Sequence, residues 1–404
     1  MSNIDNLIAD RMSLIKPSPT MAVSKLAAEL KAAGKDVIGL GAGEPDFDTP
    51  DHIKLAAIEA IKNGQTKYTA VDGTPKLKKA VSDKFQRDNN IKYNIDEIII
   101  SVGGKQVLFN ALLSSINPGD EVIIPSPYWV SYPDMVALAG GKPIIVEGKS
   151  ENNFKIMPED IKDKISTKTK WIIINSPSNP TGSSYSKKEL KNIGDLLINY
   201  KNIFIMSDDI YEKIIYDDNK FYTIAEVVPE LKDRILTVNG VSKAYAMTGW
   251  RIGYAGGPKT LISAMAKLQS QSTSNPSSIS QAAALAALEG PEDFLSERNA
   301  QFKIRRNMVV EKLNKCNGIH CLLPTGAFYV YPSCKGLIGK QTPAGQIINN
   351  SIDFSSYLLE EVGVAVVPGS AFGADFFFRI SYATSDSILV EACNRIQKAC
   401  DQLI

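Results

Sequence analysis

The sequence predicts an α/β architecture: a mostly parallel sheet covered by helices, followed by a smaller α+β unit. Three observations carry this. Short, continuous, largely β-branched runs recur at Ile98-Ile99-Ile100, Val122-Ile123-Ile124, Trp171-Ile172-Ile173-Ile174, Ile203-Phe204-Ile205-Met206 and Ile235-Leu236-Thr237-Val238. Runs without polar alternation suit strands buried on both faces, as in parallel sheets. Amphipathic stretches of helical length separate them, at 104–116, 186–200 and 258–272. After about residue 291 the rhythm changes, from buried runs to short strands flanked by long helices.

Taken in order, residues 1–48 lack the strand–helix alternation and are expected to wrap onto the C-terminal unit. Thr74-Pro75 offers an N-cap followed by proline at the first helical position. Ser186 with Glu189 three residues later reads as a capping box. The stretch 276–290, rich in Ala and Ser and ending on Gly290, reads as a tightly packed helix. Beyond it come a long charged helix at 292–316, strands at 319–322, 327–331, 364–367 and 376–382, and a final helix at 385–403. The expected division is 49–290 for the large unit, and 1–48 with 291–404 for the small one.

Composition excludes several function classes. The 404 residues are 44% hydrophobic and 22% charged, ordinary for a folded chain of roughly two or three domains. Lys plus Arg number 45 and Asp plus Glu 44, a net charge of +1 with no basic surplus for nucleic acid or a membrane surface. The cysteines are Cys316, Cys321, Cys334, Cys393 and Cys400, odd in number and never spaced Cys-x-x-Cys, which argues against a disulfide framework and for a reducing compartment. The histidines are His52 and His320, neither in a metal-ligand or triad spacing, so no metal site is expected. Asp5 and Asp10 interrupt the first apolar stretch, and no run approaches the ~18 apolar residues of a membrane span. The expectation is a soluble, cytoplasmic protein with neither nucleic acid nor membrane as partner.

In open α/β sheets ligands bind beyond the carboxyl ends of the strands. Here those ends collect polar groups in order. Gly103-Gly104-Lys105 follows Val102; Pro125-Ser126-Pro127-Tyr128-Trp129 follows Ile124; Asn175 to Gly182, with Asn179, follows Ile174. Asp208, Asp209 and Tyr211 follow Ser207, and Asn239-Gly240-Val241-Ser242-Lys243 follows Val238, with Arg251 shortly after. Singly, each has a plain structural reading: a tight turn, a core tryptophan, a helix cap, a surface lysine, an ion-pair partner. Together they fit one cofactor. Pyridoxal 5′-phosphate needs a lysine amine for a Schiff base and a carboxylate at its ring nitrogen. It also needs donors at its phenolate oxygen, an aromatic stacked on its ring and a phosphate cup with a cation.

The run Ser242-Lys243-Ala244-Tyr245-Ala246-Met247-Thr248-Gly249-Trp250-Arg251-Ile252-Gly253 resembles the cofactor-lysine motif of class I aminotransferases. Asn175-Ser176-Pro177-Ser178-Asn179-Pro180-Thr181-Gly182 is similar to their Asn-Pro-Thr-Gly loop. The segments Gly41-Ala42-Gly43-Glu44-Pro45-Asp46-Phe47-Asp48-Thr49-Pro50 and Phe378-Arg379-Ile380-Ser381-Tyr382-Ala383 extend the match over nearly the whole chain. Lys16-Pro17-Ser18-Pro19-Thr20, Gly103-Gly104-Lys105-Gln106 and Ser126-Pro127-Tyr128-Trp129-Val130-Ser131-Tyr132-Pro133 resemble the bacterial aspartate aminotransferase subgroup, whose members often also use prephenate.

The resemblance implies the pyridoxal-phosphate-dependent fold type I, with a seven-stranded, mostly parallel sheet in the large domain. It implies that Lys243 holds the cofactor and shuttles a proton, that Asp208 pairs with the ring nitrogen, and that Tyr211 and Asn179 bond the phenolate oxygen. Trp129 would stack on the ring. Gly103, Gly104, Ser242 and Arg251 would take the phosphate, with Lys105 among the cofactor contacts and Tyr68 reaching in from the other subunit of a homodimer. Arg379 would fork onto the substrate α-carboxylate, helped by Asn179, the Gly43 backbone and Trp129. Lys105, Ser18 and Thr20 would serve the distal carboxylate, with Lys16 at a position linked to prephenate. Asp209 stands where the family commonly has Glu, and its shorter carboxylate is expected to loosen a surface contact.

The implied reaction is L-aspartate plus 2-oxoglutarate to oxaloacetate plus L-glutamate, with prephenate to arogenate as an overlapping activity. An aromatic or alanine-type transaminase, or a β-C–S lyase, would share Lys243, Asp208 and Arg379. Only the distal pocket separates these, and a cation at Lys105 favours a dicarboxylate. A cofactor-sensing transcription regulator needs an added DNA-binding domain, for which the roughly 15 residues before Lys16 are too few.

Overall fold

The computed structural model describes Leu7–Ile404; residues 1–6, including Asp5, lie outside the described residues. Among the described residues twelve strands are formed: β1 (Ile38–Gly39), β2 (Ile98–Ser101), β3 (Glu121–Ser126), β4 (Lys142–Glu147), β5 (Thr169–Asn175), β6 (Phe204–Asp208), β7 (Ile235–Gly240), β8 (Gly253–Gly256), β9 (Tyr329–Val330), β10 (Val364–Ala365), β11 (Val367–Pro368) and β12 (Phe378–Ser381). The helices, in order, are α1 (Pro19–Ala32), α2 (Asp51–Lys62), α3 (Pro75–Asn89), α4 (Gly104–Ser115), α5 (Ser131–Leu138), α6 (Pro158–Lys162) and α7 (Lys187–Ile198), then α8 (Ile224–Val227), α9 (Lys259–Ser270), α10 (Ser278–Glu289), α11 (Asp293–Leu313), α12 (Ser351–Val362) and α13 (Asp386–Asp401).

Seven strands form one sheet in the order β2-β8-β7-β6-β5-β3-β4. β8 runs antiparallel to both its neighbours, and the remaining pairs are parallel. The five apolar runs of the sequence are β2, β3, β5, β6 and β7, and they are apolar throughout because both faces are covered. Side chains alternate across a strand. Ile172 and Ile174 therefore enter one core with Leu77, Val81, Phe85 and Ala283, while Trp171 and Ile173 enter the other with Val107, Leu108, Ala111 and Met265. Each such isoleucine contributes about 1.5–3 kcal/mol of apolar burial. β4 carries a similar run, Ile144-Ile145-Val146, that is not among those five, and β8 has none. β4 is an edge strand with a mixed burial pattern, and β8 is Gly-Tyr-Ala-Gly, whose glycines accept close neighbours rather than filling a core.

Helix starts follow the local chemistry. The Thr74 hydroxyl accepts from Leu77 N at the start of α3, with Pro75 at N1. Ser186 and Glu189 form the reciprocal capping box of α7. The Ala-rich stretch is α10, which packs on α2 and α3 with Ala283, Ala284 and Ala287 buried.

A third core surrounds the antiparallel sheet β11-β12-β9, with Phe302, Phe328, Phe354, Phe378, Leu389 and Ile396 from α11, α12, α13 and the strands. Two expectations are corrected here. The segment 319–322 is not a strand, and only His320 makes an isolated bridge, to Ser333. The described part of this segment, residues 7–48, does contain regular structure: α1, and β1 paired in parallel with β10. The pairing is short because two residues suffice to dock the segment, and Ala27 and Val37 seal it against Ala365.

Beneath the sheet edge lies a buried ionic cluster. Lys84 pairs with Glu212 and donates to Asn89 Oδ1 (2.7 Å), and Asn89 Nδ2 donates back to Glu212 Oε2 (3.0 Å). Asp209 is also corrected: it is buried, not a surface contact. The shorter carboxylate ends inside the fold, where Ser207 Oγ donates to its Oδ1 (2.7 Å) and Oδ2 has no partner.

Candidate active site

The strand ends of the large sheet meet the third core across a cavity of about 530 Å³. Its walls carry Gly104, Lys105, Trp129, Asn179, Asp208, Tyr211, Ser242, Lys243 and Arg251 from the sheet side, and Gly43, Tyr329 and Arg379 from the other. Thr20, Met21 and Ser24 of α1 stand at its margin. Cationic side chains outnumber carboxylates: Lys105, Lys243, Arg251 and Arg379 against Glu44 and Asp208. A larger surface depression of about 700 Å³ between α1, α12 and α13 is chemically plain, its Arg395 paired with Glu391 and Asp36.

Lys243 follows β7 in a turn and donates from Nζ to the Gly43 carbonyl at 2.5 Å. Desolvation, opposed by Glu44 and reinforced by Arg251 and Arg379, pushes its amine down to about 8. An amine so poised is available as a nucleophile near neutral pH. The motif behind it is clamped: Thr49 Oγ1 donates to Ala246 O (2.7 Å) and accepts from Trp250 Nε1 (3.0 Å).

Asp208 ends β6 and is buried. Burial pushes its carboxyl up, opposed by a hydrogen bond from Tyr132 and by the nearby Lys243. Asn175, at the end of β5, donates to the Asp208 carbonyl (2.8 Å) and accepts from Asn179 N (2.9 Å), so neighbouring strand ends are locked together. The Tyr211 and Tyr329 hydroxyls share a hydrogen bond of 2.8 Å.

Arg379, on β12, is 2% exposed and has no carboxylate partner among the described residues. Its Nη1 donates to Asn179 Oδ1 (2.8 Å), its Nη2 to the Gly41 carbonyl (2.6 Å), and its Nε is buried without a partner. The guanidinium lies over the Tyr329 ring at 4.6 Å. A buried guanidinium held only by neutral groups is a site for an anion.

Opposite, Gly103 caps the N-terminus of α4 with φ +84°. A Cβ there would fall 2.3 Å from Arg251 Nη2, and a Cβ on Gly253 would fall 2.2 Å from Gly104 N. The strand and the helix start thus touch backbone to backbone, which leaves α4 amide hydrogens and Arg251 around an open cradle. Arg251 itself sits at φ +57°, a left-handed conformation that disfavours a side chain, and its Nη1 donates to Thr248 O (2.8 Å). Lys105 reaches the same cavity with its ammonium 4.8 Å over the Trp129 ring, and partial burial and Arg251 lower its pKa.

Three predicted residues stand apart. Tyr68 is 91% exposed and outside the cavity wall. Lys16 is exposed and faces Asp134. Ser18 bonds the Thr20 hydroxyl (2.9 Å), and of the two only Thr20 lines the cavity. Residues the sequence reading missed include Tyr132, Asn175, Tyr329, Met21 and Ser24. Asn175 stands at a strand end and Tyr132 one turn after Trp129, so both had a signal. Tyr329 had none, since it arrives from a separate core.

Residues 35–396 of the chain match a family model, aminotransferase class I and II. The chain belongs to this family. A probable aspartate/prephenate aminotransferase of Rickettsia felis is 58% identical over 98% of this chain and 97% of the relative. The aspartate/prephenate aminotransferase of Cereibacter sphaeroides is 57% identical over 97% and 98%. Among solved structures, the aspartate aminotransferase from Rhizobium meliloti superposes with a TM-score of 0.96 at 54% identity, covering 98% of this chain and 99% of that one. That from Thermus thermophilus with maleate gives 0.91 at 42% identity, over 97% and 99%.

Aminotransferases of this family use pyridoxal 5′-phosphate. The residues present fit that group. A low-pKa amine, a buried carboxylate, a half-buried indole and an anion cradle with an arginine line one cavity, and among the described residues its cations have only backbone carbonyls, an amide oxygen and aromatic rings as partners.

Proposed function

We propose that this aminotransferase moves the amino group of L-aspartate to 2-oxoglutarate, giving oxaloacetate and L-glutamate, with prephenate as a second acceptor. The observation that carries the reading is Arg379: a buried guanidinium without a carboxylate, sharing a cavity with Lys243 and the further cation Lys105. Two cations outside the cradle suit a substrate with two carboxylates. Maleate, a dicarboxylate, is named with the Thermus thermophilus neighbour, and aspartate and prephenate are named for the relatives.

Bound pyridoxal phosphate supplies an electrophilic carbon and an electron sink. Lys243, whose amine now donates to Gly43 O, would hold the cofactor and would move the proton at substrate Cα. Asp208 would hold a proton at the ring nitrogen, Tyr211 and Asn179 would donate to the phenolate oxygen, and Trp129 would pack on the ring. Gly103, Gly104, Ser242 and Arg251 would take the phosphate. Arg379 forks onto the α-carboxylate, whose oxygen can replace Gly41 O as its acceptor. Lys105, with Thr20 and Ser18, serves the distal carboxylate, and Lys16 acts only if the N-terminal segment moves inward.

The large domain is 49–290, and the small one is 1–48 with 291–404, closing over substrate to exclude water. The chain works as a homodimer in the cytoplasm. Leu55, Ile58 and Ile61 form an exposed apolar row on α2, and Tyr68, a few residues further along the chain, is exposed as well, which supports a subunit contact there. Among the described residues no helix is long and apolar enough to cross a membrane.

The test is a half-reaction. The pyridoxal-phosphate-loaded protein, mixed with L-aspartate and no acceptor, should lose its visible band and release one oxaloacetate per site. A band that aspartate leaves unchanged while a neutral or aromatic amino acid removes it would overturn the dicarboxylate assignment.

A further inference from the structure

Asp208 is asked to stay ionised and keep one orientation in a place that opposes both. It is buried at the end of β6, and burial favours its neutral form. Its two oxygens are not equivalent. Oδ2 accepts from Tyr132 Oη at 2.6 Å, whereas Oδ1 has only a long contact of 3.4 Å from Ile210 N. The phenol is the donor, since burial and the carboxylates nearby push its own ionisation well above the usual range.

Tyr132 is itself fixed. It is 2% exposed, its backbone N–H donates to Trp129 O (3.0 Å), and its ring meets the Trp129 indole edge-on at 5.3 Å and 83°. Trp129, two residues before α5, and Tyr132, in its first turn, are joined by that backbone hydrogen bond, so the indole and the Asp208 donor are carried by one turn of backbone. Other titratable groups acting on this pair are Lys243, Tyr211 and Asp209.

We propose that Tyr132 is a positioning residue: its hydroxyl holds Asp208 as a carboxylate through Oδ2 and so reserves Oδ1 for the ring nitrogen of the cofactor. This rests on the cofactor placement proposed above. Trp129 and Asp208, which approach the ring from its face and its edge, are then set in register by a single tyrosine.

The experiment is equilibrium binding of pyridoxal phosphate to the apoprotein, followed by its visible band, for wild type and Tyr132→Phe. That substitution keeps the ring and removes only the hydroxyl. The dissociation constant should rise about tenfold, the order set by one hydrogen bond to a charged group. In an Asp208→Asn background the same substitution should change it less than about twofold, because the partner is gone. A cofactor methylated at its ring nitrogen carries a fixed positive charge and needs no carboxylate to hold a proton there. With it, the half-reaction rate of Tyr132→Phe should return to within about threefold of wild type. Tyr132→3-fluorotyrosine, which preserves packing if Tyr132→Phe does not fold, makes the hydroxyl a stronger donor and should tighten binding. Equal losses in both backgrounds, losses that the methylated cofactor does not reverse, or unchanged binding for Tyr132→Phe and Tyr132→3-fluorotyrosine alike would overturn the inference. Wild-type protein that binds no pyridoxal phosphate would instead remove the cofactor placement itself.

Discussion

Lys243 and Arg379 donate to the same short loop: Lys243 Nζ to the carbonyl of Gly43 at 2.5 Å, and Arg379 Nη2 to the carbonyl of Gly41 at 2.6 Å. The two cations arrive from different cores, one after β7 and one on β12, and neutral backbone oxygens occupy both. A carbonyl is a weaker partner for a cation than a carboxylate, so an anionic ligand can displace the Gly41 oxygen at Arg379. The loop thus holds the site assembled without competing strongly for it.

Removing the amine tests the centre of the arrangement. Lys243→Ala should fold, lose transamination, and show no borohydride-reducible adduct with pyridoxal phosphate. A reducible adduct surviving in that variant, located by peptide mapping, would assign the cofactor to another lysine.

Arg379→Lys keeps the charge and loses the planar fork. Because the side chain is buried and donates in two directions, kcat/KM for aspartate should fall about a hundredfold, or about 2–3 kcal/mol. A change of less than about threefold would place the α-carboxylate elsewhere.

Lys105→Ala should discriminate between substrates. Its ammonium lies over Trp129 in the cavity, so kcat/KM for aspartate should fall about ten- to a hundredfold more than that for alanine. Equal losses for the two amino acids would mean that Lys105 serves the cofactor alone.

Asp209 gives a stability test independent of turnover. Burial pushes its carboxyl up to about 7, above the ordinary 3.8 of an unfolded chain. Between these values the folded state holds the extra proton, so this group's contribution falls as pH rises from about 4 to about 7 and is flat above. Asp209→Asn stays neutral and keeps an acceptor for Ser207, so Tm measured by calorimetry should rise relative to wild type, more at pH 8 than at pH 5. A difference in Tm that is the same at both pH values would show that Asp209 is not protonated in the fold.

Much of the site was legible because strand ends are local features. An apolar run followed by Gly103-Gly104, by Trp129, by Asn179, by Asp208 or by Lys243 can be read residue by residue, and a sheet with parallel strands delivers such ends to one edge. Tyr132 was legible in principle, one helical turn after Trp129, but nothing in the sequence said that its hydroxyl meets Asp208. Asp209 was misread because a second carboxylate beside a first looks solvated, and only the packing of α3 and the Lys84–Glu212 pair shows the interior it faces.

The sequence by itself determined the α/β class, the strands buried on both faces, the capped helices and the residue types at the strand ends, because these follow from side-chain periodicity and local hydrogen bonding. The tertiary structure alone decided that Arg379 has no carboxylate partner among the described residues, that Tyr329 closes on Tyr211, that β8 completes the sheet, and that Lys16, Ser18 and Tyr68 stand back from the cavity wall. Those facts depend on groups far apart in the chain meeting at a few ångströms. Periodicity carries no record of such meetings, since it describes how each element hides its own apolar face and not which element it hides that face against.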